Sequence, residues 1–399
     1  MRLAILACAF ALAAPAVQAA PAHWIGSWGA SPALPMAAPP NNPARGTPTF
    51  SNQTITQVVR LSAGGPKLRI RLSNEYGAKP LQIGAARVAL VGADGAVVAG
   101  SERTVTFSGA AAALIPQGAP MLSDAVALPT KPLARLRVSL FLPADTNGCT
   151  CHMTGMDLIS IAPGDATKAP PAPAKGAGDY RAFLTEVDVE TAAPSGPVIA
   201  TFGDSITDGY RSTDDTNHRW PDRLAERLAA GKQPFAVVNT AISGNRVLAE
   251  ALPIFGQNAL SRFDRDVLSA PGVTHVTVLE GVNDLGMTKP TPAAADIIAG
   301  YRQLIARAHE HGLKIIGGTI LPYGGAAYFS AAGEAERQKI NAWIRTGHEF
   351  DGVIDFDAAI RDPVKPERMR AELQSGDWLH PNDAGYRVMG DAVDLKLFR

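Results

Sequence analysis

The chain has 399 residues, of which 46% are hydrophobic and 19% are charged. This length exceeds the usual size of a single hydrophobic core, so we expect two domains. The composition is typical of a globular protein and excludes an intrinsically disordered one. Because the formal net charge is zero, nothing in it favours nucleic acid or an anionic membrane as a partner.

The first twenty residues, 1–20, have the pattern of a secretory signal peptide. Arg2 supplies a positive charge, residues 3–14 are apolar but too few to span a bilayer, and small residues before position 21 suit cleavage. The alternative is a membrane anchor, and Cys8 follows too short an apolar run to indicate lipidation. No later segment has the apolar length of a transmembrane helix. We therefore expect a secreted or periplasmic protein without stable membrane insertion.

Residues 21–193 are predicted to form an antiparallel β-sandwich of the jelly-roll type. After an irregular, proline-rich segment at residues 30–49, apolar residues recur with a period of two in short runs that turn residues separate. Predicted strands cover residues 54–61, 68–72, 81–90, 103–107, 136–142 and 180–189. Since no convincing amphipathic helix lies between residues 54 and 142, this spacing favours an all-β domain.

Two features of this half allow more than one interpretation. Cys149 and Cys151 are separated by one residue. In an oxidising compartment they form either a small local disulfide or two free thiols, and two such ligands are too few for a structural zinc site. Four arginines alternate with apolar residues on the predicted strands, and we interpret them as a solvated strand face rather than a ligand-binding stripe. They are Arg69, Arg71, Arg135 and Arg137.

Residues 194–399 alternate between strands and helices, and we place the domain boundary near Pro194. Predicted strands cover residues 198–202, 235–239, 273–279, 314–320 and 353–356, and predicted helices cover residues 220–230, 294–309 and 334–347. This order implies a parallel sheet with helices on both faces. Ligands of such sheets bind at the carboxyl ends of the strands. The polar residues that follow each strand are therefore the candidate site residues.

Ser205 is the candidate nucleophile. It ends the sequence Gly203-Asp204-Ser205, which follows the predicted buried strand where the chain turns towards a helix. A serine at such a turn exposes its hydroxyl and its own backbone N–H, as in a nucleophile elbow, although the pattern Gly-x-Ser-x-Gly is absent. The same three residues are also ordinary turn formers. We interpret Asp204 as a hydrogen-bonding loop residue and not as an acid catalyst.

His380 and Asp377 supply a candidate base and its orienting acid. The aspartate lies three residues before the histidine, so its carboxylate can fold back onto Nδ1–H while Nε2 faces outward. Gly244 follows the second predicted strand and Asn283 follows the third. With Ser205, these residues provide what acyl transfer needs, namely a nucleophile, a base, an orienting acid and hydrogen-bond donors for an oxyanion.

Four short blocks in this order resemble those of the SGNH hydrolases, also called GDSL esterases/lipases. The blocks are Gly203-Asp204-Ser205, Gly244, Gly281-Val282-Asn283-Asp284 and Asp377-x-x-His380, and the resemblance covers about residues 197–399. It implies a three-layer α/β/α domain with a flavodoxin-like parallel sheet. By the same resemblance Ser205 is the nucleophile, His380 is its base and Asp377 holds the base. The implied oxyanion hole consists of the Ser205 and Gly244 backbone N–H groups and the Asn283 side-chain amide.

The front domain is a departure, since a minimal member of this family lacks it. Sequences of this two-domain type look like secreted bacterial esterases, some of which act on acylated sugars. We therefore expect a secreted serine esterase that removes acetyl and other short acyl groups from small molecules or glycans. The first alternative is an acyltransferase or longer-chain lipase with the same site. The second is a non-catalytic protein that binds polysaccharide.

No metal or organic cofactor is implied. His309 and His311 lie on different faces of a predicted helix, so they do not form a metal pair. Arg219 and Trp220 open a helix near the candidate site, and we interpret them as packing or ion-pairing residues rather than substrate contacts. The sequence makes no prediction about the oligomeric state.

Overall fold

The described part of the chain comprises residues 23–38, 46–172, 178–191, 197–250 and 252–399 of a computed structural model. The predicted signal peptide, residues 1–20, and the predicted domain boundary near Pro194 lie outside these residues. Among the described residues, no helix is both long enough and apolar enough to cross a membrane.

Antiparallel sheets make up the N-terminal region, as predicted. Its strands are β1 (His23–Gly29), β2 (Gln53–Arg60), β3 (Leu68–Ser73), β4 (Leu81–Ile83), β5 (Ala85–Val91), β6 (Arg103–Val105), β7 (Ala113–Ile115), β8 (Pro120–Leu122), β9 (Arg135–Leu142), β10 (Cys151–His152), β11 (Ser160–Pro163), β12 (Arg181–Ala182) and β13 (Leu184–Thr191). One sheet has the order β1-β13-β3-β8 and another has the order β11-β2-β9-β5-β6. Two small sheets pair β4 with β7 and β10 with β12. Residues 54–142, all of them described, contain no helix.

Several strands differ from the predicted ones, and the short strands β7, β8, β10 and β11 lie outside the predicted ranges. Strand β1 is absent from the sequence predictions because Gly26 and Gly29 break its apolar pattern, and it forms by antiparallel pairing with β13, far along the chain. The predicted strand 81–90 is divided at Gly84, where a side chain would meet the ring of Phe141. The predicted strand 180–189 is divided at Phe183, which has a φ of 60°.

The outward-facing arginines of β3 are half-buried and paired, so they are more than a solvated strand face. Arg69 Nε lies 2.7 Å from Asp188 Oδ2, and Arg71 Nε lies 3.4 Å from Glu186 Oε2. Both carboxylates belong to the neighbouring strand β13 and are buried. Cross-strand pairs of opposite charge stabilise a sheet, so these arginines serve the pairing of β3 with β13.

Cys149 and Cys151 form a disulfide, and their Cα atoms are 5.2 Å apart. This separation lies within the range that disulfides require, and it decides the open alternative in favour of a local crosslink. Cys151 also pairs with Ala182 in the ladder between β10 and β12. The crosslink therefore ties the loop before β10 to the start of that strand.

A five-stranded parallel sheet forms the C-terminal region. Its strands are β14 (Val198–Gly203), β15 (Ala236–Asn239), β16 (Val273–Leu279), β17 (Lys314–Gly318) and β18 (Gly352–Ile354). Their order, β15-β14-β16-β17-β18, is the flavodoxin-like order. The chain leaves β14 for one neighbour and later returns to the other, so the topological switch point lies at the carboxyl end of β14.

Helices connect these strands and give the three-layer architecture that the sequence predicts. They are α1 (Ser205–Asp208), α2 (Trp220–Ala230), α3 (Ala259–Phe263), α4 (Val282–Met287), α5 (Ala294–Glu310), α6 (Ala331–Thr346), α7 (Phe356–Ile360) and α8 (Asp383–Ala392). Helix α8 packs against α2 and α7, whereas α5 packs against α3 and α6. Helix α6 begins three residues before its predicted start because Ser330 caps it, accepting a hydrogen bond from the Gly333 N–H at 3.0 Å.

The two regions share one continuous hydrophobic core. Strand β1 packs along β15, at the edge of the parallel sheet. Its Gly26 lies against Val238, and the Gly26 N–H donates a hydrogen bond to the Pro271 carbonyl at 2.8 Å. Ser62, which follows β2, also contacts this edge, because its hydroxyl accepts a hydrogen bond from the Val237 N–H at 2.9 Å. The N-terminal region is thus packed directly against the edge of the parallel sheet.

Candidate active site

Ser205 lies at the switch point, where β14 ends and α1 begins. Asp204 caps α1, since its carboxylate accepts a hydrogen bond from the Ile206 N–H at 3.0 Å. Gly209 ends the helix in the left-handed conformation, with a φ of 92°. This single helical turn fixes the Ser205 side chain at the carboxyl end of β14, at the switch point where ligands bind in such sheets.

The structure brings Ser205, His380 and Asp377 into one hydrogen-bonded line. Ser205 Oγ lies 2.8 Å from His380 Nε2, and His380 Nδ1 lies 2.7 Å from Asp377 Oδ2. Because Nδ1–H donates to the carboxylate, Nε2 is the nitrogen that can accept the Ser205 hydroxyl proton. The other carboxylate oxygen accepts the backbone N–H groups of His380 and Leu379 at 2.9 and 3.0 Å.

These contacts also set the charge of Asp377. Burial raises the pKa of this carboxyl, but the hydrogen bonds from the His380 ring and backbone outweigh burial and hold the pKa well below its usual range. Asp377 is therefore ionised at neutral pH. A fixed negative charge at this place stabilises the imidazolium that forms when His380 takes the serine proton.

Three groups near Ser205 can donate hydrogen bonds to an oxyanion. Among the described residues, the backbone N–H groups of Ser205 and Gly244 have no hydrogen-bond partner. Asn283 Nδ2 donates one of its two N–H bonds to the Asn245 carbonyl at 3.0 Å, which joins the start of α4 to the loop of Gly244. The second N–H of this amide is left for a substrate oxygen.

Gly244 occupies a position that only glycine fits without strain. Its φ is 81°, in the left-handed region, and a Cβ atom built on it would lie 2.5 Å from the ring of Phe255. The neighbouring loop is fastened by Asp284, whose carboxylate accepts the N–H groups of Val247 and Leu248 at 2.8 and 3.0 Å. The backbone direction at Gly244 is therefore fixed by contacts on both sides.

Arg262 holds the strand ends together behind the site, and no sequence pattern predicted this role. Its guanidinium is fully buried and donates hydrogen bonds to the Gly203 carbonyl at 2.9 Å and to the Thr240 carbonyl at 2.6 Å. It also contacts Glu280 at 3.2 Å, at the end of β16. Two backbone carbonyl groups and one carboxylate at the ends of three adjacent strands are thus tied to one cation, which keeps the floor of the site rigid.

Two aromatic residues and an arginine beside the site were also missed from the sequence. The Tyr210 ring meets the His380 ring edge to face at a centroid distance of 4.8 Å, and 36% of this tyrosine remains exposed. Arg211 Nε lies 4.0 Å from Asp377 Oδ2. Tyr328 donates its hydroxyl to Asn283 Oδ1 at 3.0 Å. In the sequence, Tyr210 lies five residues after Ser205, and this short separation could have indicated that Tyr210 is close to the site.

Several other polar residues singled out in the sequence have structural contacts. Arg219 Nη2 lies 3.0 Å from Asp157 of the N-terminal region, and Trp220 is fully buried. His309 Nε2 lies 2.9 Å from Asp351 Oδ2, on the surface. Within the described ranges, no cluster of three or more His, Cys, Asp or Glu side chains could hold a metal ion.

Residues 201–388 match the GDSL-like Lipase/Acylhydrolase family. Over these residues, the chain is similar to this family. The match confirms the resemblance that the four sequence blocks indicated, and it includes every strand end described above. The match identifies the protein as a carboxylic ester hydrolase. A search of curated proteins finds no match to the chain.

Solved structures of GDSL-family and related esterases resemble about half of the chain. A lipolytic G-D-S-L family protein from Desulfitobacterium hafniense is 23% identical, with 50% of this chain and 97% of that chain covered and a TM-score of 0.39. The aryl esterase of M. smegmatis is 18% identical, with 49% and 95% covered and a TM-score of 0.41. A carbohydrate acetylesterase from Sinorhizobium meliloti is 16% identical, with 49% and 95% covered and a TM-score of 0.40.

Proposed function

We propose that the protein is a serine esterase in which Ser205 is the nucleophile and His380, held by Asp377, is the general base. The observation that carries this proposal is the hydrogen-bonded line from Ser205 Oγ to His380 Nε2, at 2.8 Å, and from His380 Nδ1 to Asp377, at 2.7 Å. Such a line activates a serine hydroxyl that is otherwise a weak nucleophile. Its position at the switch point is where ligands bind in such sheets.

The reaction follows from the positions of the donors. Ser205 Oγ attacks the ester carbonyl carbon while its proton passes to His380 Nε2. The carbonyl oxygen becomes an oxyanion, to which the N–H groups of Ser205 and Gly244 and the Asn283 amide donate hydrogen bonds. His380 then gives its proton to the leaving alcohol, and an acyl-enzyme remains. Water, deprotonated by His380, releases the acid and restores Ser205.

We assign short acyl esters, acetyl esters foremost, as the substrate class. Residues 203–217, all described, contain no long apolar segment that could act as a lid over the site. A lipase that works on an oil surface needs a sizeable exposed apolar patch. The half-exposed ring of Tyr210 beside His380 instead offers one aromatic face to the alcohol part of a substrate. A sugar ring is an alcohol of suitable shape for such a face.

The location of the protein is a separate proposal that rests on the signal-peptide pattern of residues 1–20. We assign it to the secreted or periplasmic compartment. The disulfide between Cys149 and Cys151 fits an oxidising compartment. Determining the N-terminal sequence of the mature protein tests this proposal directly, since cleavage before residue 21 is expected and an uncleaved Met1 in the exported fraction would contradict it.

An ester panel tests the proposed function. Purified protein is assayed with aryl esters of increasing acyl length and with acetylated glycans, and Ser205→Ala serves as the blank. We expect the highest kcat/KM for acetyl or other short esters and no turnover by Ser205→Ala. Wild-type-like turnover by that variant would contradict the serine mechanism, and a higher kcat/KM for long-chain esters would indicate a lipase. Preferred transfer to added alcohols would indicate an acyltransferase, and binding without turnover a non-catalytic protein.

A further inference from the structure

A buried histidine of the N-terminal region contacts the helix that carries Ser205. His152 lies on β10, and its Nε2 is 2.9 Å from Oδ1 of Asp208, the last residue of α1. Only 6% of the histidine side chain and 4% of the aspartate side chain are exposed. The two residues come from different regions of the chain, so the contact crosses the interface between them.

The surroundings of the His152 ring require both of its nitrogens to be protonated. Nδ1 lies 3.0 Å from the Ser31 carbonyl oxygen, and Nε2 lies 3.0 Å from the Thr154 carbonyl oxygen as well as beside Asp208. Carbonyl oxygens only accept hydrogen bonds, so each ring nitrogen must donate one. Burial alone lowers the pKa of His152, but Asp208 and the two carbonyl groups outweigh burial and raise it. The ring is thus an imidazolium paired with a carboxylate.

The other oxygen of Asp208 reaches the loop of Gly244. Oδ2 accepts a hydrogen bond from the Ser243 N–H at 2.9 Å and another from the Ser243 hydroxyl at 2.7 Å. Ser243 directly precedes Gly244, and Asp208 lies three residues after Ser205 on the single turn of α1. One carboxylate therefore joins the two backbone segments whose N–H groups are available for an oxyanion.

We propose that His152 is a positioning residue for the oxyanion hole and that the N-terminal region contributes to catalysis through it. The imidazolium fixes the Asp208 carboxylate, and that carboxylate fixes the distance between the Ser205 and Gly244 N–H groups. This inference rests on the proposed function of Ser205. It assigns a catalytic consequence to the N-terminal region, although that region contains none of the four sequence blocks.

The proposal predicts a loss in kcat rather than in substrate binding. Removing the ring in His152→Ala frees Asp208 to turn and the Ser243 segment to shift, and a displacement of about 1 Å in such a site costs about 10²-fold in rate. We expect kcat to fall about 10- to 100-fold while KM changes little. His152→Gln keeps an N–H donor towards Asp208 without the charge, so it should recover part of this loss.

Arg60→Met is the matched control, because it breaks another ion pair across the same interface. Arg60 Nη1 lies 2.8 Å from Glu226 Oε1 on α2, away from α1 and from the loop of Gly244. Both Arg60→Met and His152→Ala should lower the melting temperature, but only His152→Ala should lower kcat at a temperature well below the transition. Equal kcat values in the two variants would overturn the proposal.

A double-mutant cycle separates positioning from general loosening. Asp208→Asn removes the carboxylate that links His152 to Ser243. The combined variant with His152→Ala should therefore lose about as much kcat as the worse single variant. Multiplicative losses would show that the two residues act independently and would overturn the proposal. If neither His152→Ala nor His152→Gln folds, the contact serves the fold alone and the proposal fails as well.

A failure of the positioning role of His152 can be distinguished from a failure of the proposed function. If Ser205→Ala retains turnover, the serine mechanism itself is wrong. If Ser205→Ala is inactive while His152→Ala keeps the wild-type kcat, the serine mechanism stands and only the role of His152 is wrong.

Discussion

The hydroxyl group of Tyr328 donates a hydrogen bond to Asn283 Oδ1 across 3.0 Å. On the other side of the amide, Asn283 Nδ2 donates to the Asn245 carbonyl at 3.0 Å. Because that carbonyl can only accept, the Asn283 side-chain amide cannot flip by 180° without losing both hydrogen bonds. The remaining N–H of Asn283 therefore has one fixed direction, which is what a preorganised oxyanion donor requires.

Asn283→Ala should lose turnover and keep substrate binding. Losing one oxyanion donor costs roughly 10²–10³ in kcat, and KM should change little because the donor acts on charge that develops in the transition state. Steady-state kinetics and a melting curve measure both effects. If kcat stays within a few-fold while the melting temperature drops, Asn283 only fastens the turn at the start of α4, as a capping residue would.

Tyr328→Phe should have a smaller effect of the same kind. The variant removes the bond that orients Asn283 but leaves its amide in place, so we expect kcat to fall by less than in Asn283→Ala. Tyr323→Phe is the matched control, because the Tyr323 hydroxyl is buried and has no partner among the described residues. Its removal should leave kcat unchanged. Equal kcat losses in the two tyrosine variants would contradict the orienting role of Tyr328.

The sequence predicts those parts of the fold that depend on local patterns. Period-two runs predicted the antiparallel sheets, and alternating strands and helices predicted the parallel sheet. The three-residue spacing between Asp377 and His380 is also local, and the structure places His380 Nδ1 2.7 Å from Asp377. The flavodoxin-like strand order, in contrast, depends on tertiary packing, and only the family resemblance indicated it.

Contacts between distant segments could not be predicted in this way. His152 and Asp208 belong to different regions, and nothing in the residues around either one marks the other as its partner. Arg262 lies in a short helix whose sequence shows no pattern, yet it joins the ends of three strands. Such residues are recognisable only when the fold shows which strand ends lie side by side.

Gly244→Ala should lower kcat through the backbone. The position has a φ of 81°, and a Cβ atom would lie 2.5 Å from the Phe255 ring, so either the loop or the ring must shift. Strain of this kind costs of order 1–3 kcal/mol, and moving the Gly244 N–H removes an oxyanion donor. We expect a kcat loss of at least about 10-fold from steady-state kinetics of the folded variant.

Gly118→Ala is the control for Gly244→Ala. Gly118 also has a positive φ, 78°, but a Cβ atom there would meet nothing within 4 Å. Its replacement should lower the melting temperature through backbone strain alone and leave kcat unchanged. If Gly244→Ala likewise changed only stability, the Gly244 N–H would have no part in the oxyanion hole.

Asp204→Asn should change how stability depends on pH. Burial raises the pKa of Asp204 to about 7, with Asp284 adding to the rise, while the Ile206 N–H and Arg262 oppose it. In the unfolded chain an aspartate has a pKa near 3.9, so the folded protein binds this proton more tightly. The stability that this proton contributes is complete below about pH 4 and is lost as the pH rises through about 7.

Asparagine at position 204 stays neutral at every pH and can still accept the Ile206 N–H, so the variant should lose less stability than the wild type between pH 5 and pH 8. Denaturant midpoints at several pH values measure the difference. Asp355→Asn is the matched control, since Asp355 also caps a helix, accepting the Ala358 N–H at 3.1 Å. The pKa of Asp355 is lowered, because the bonds from Arg345 and the Ala358 N–H outweigh burial.

Asp355 is therefore ionised at both pH 5 and pH 8, and its stabilising contribution is present above the unfolded pKa and lost only at more acidic pH. Asp355→Asn should destabilise the protein by the same amount at pH 5 and pH 8. The stability of Asp204→Asn should instead increase relative to that of the wild type as the pH rises. If the stability curves of Asp204→Asn and the wild type ran parallel from pH 5 to pH 8, Asp204 would be ionised throughout. The buried carboxyl beside Ser205 would then carry a full negative charge during catalysis.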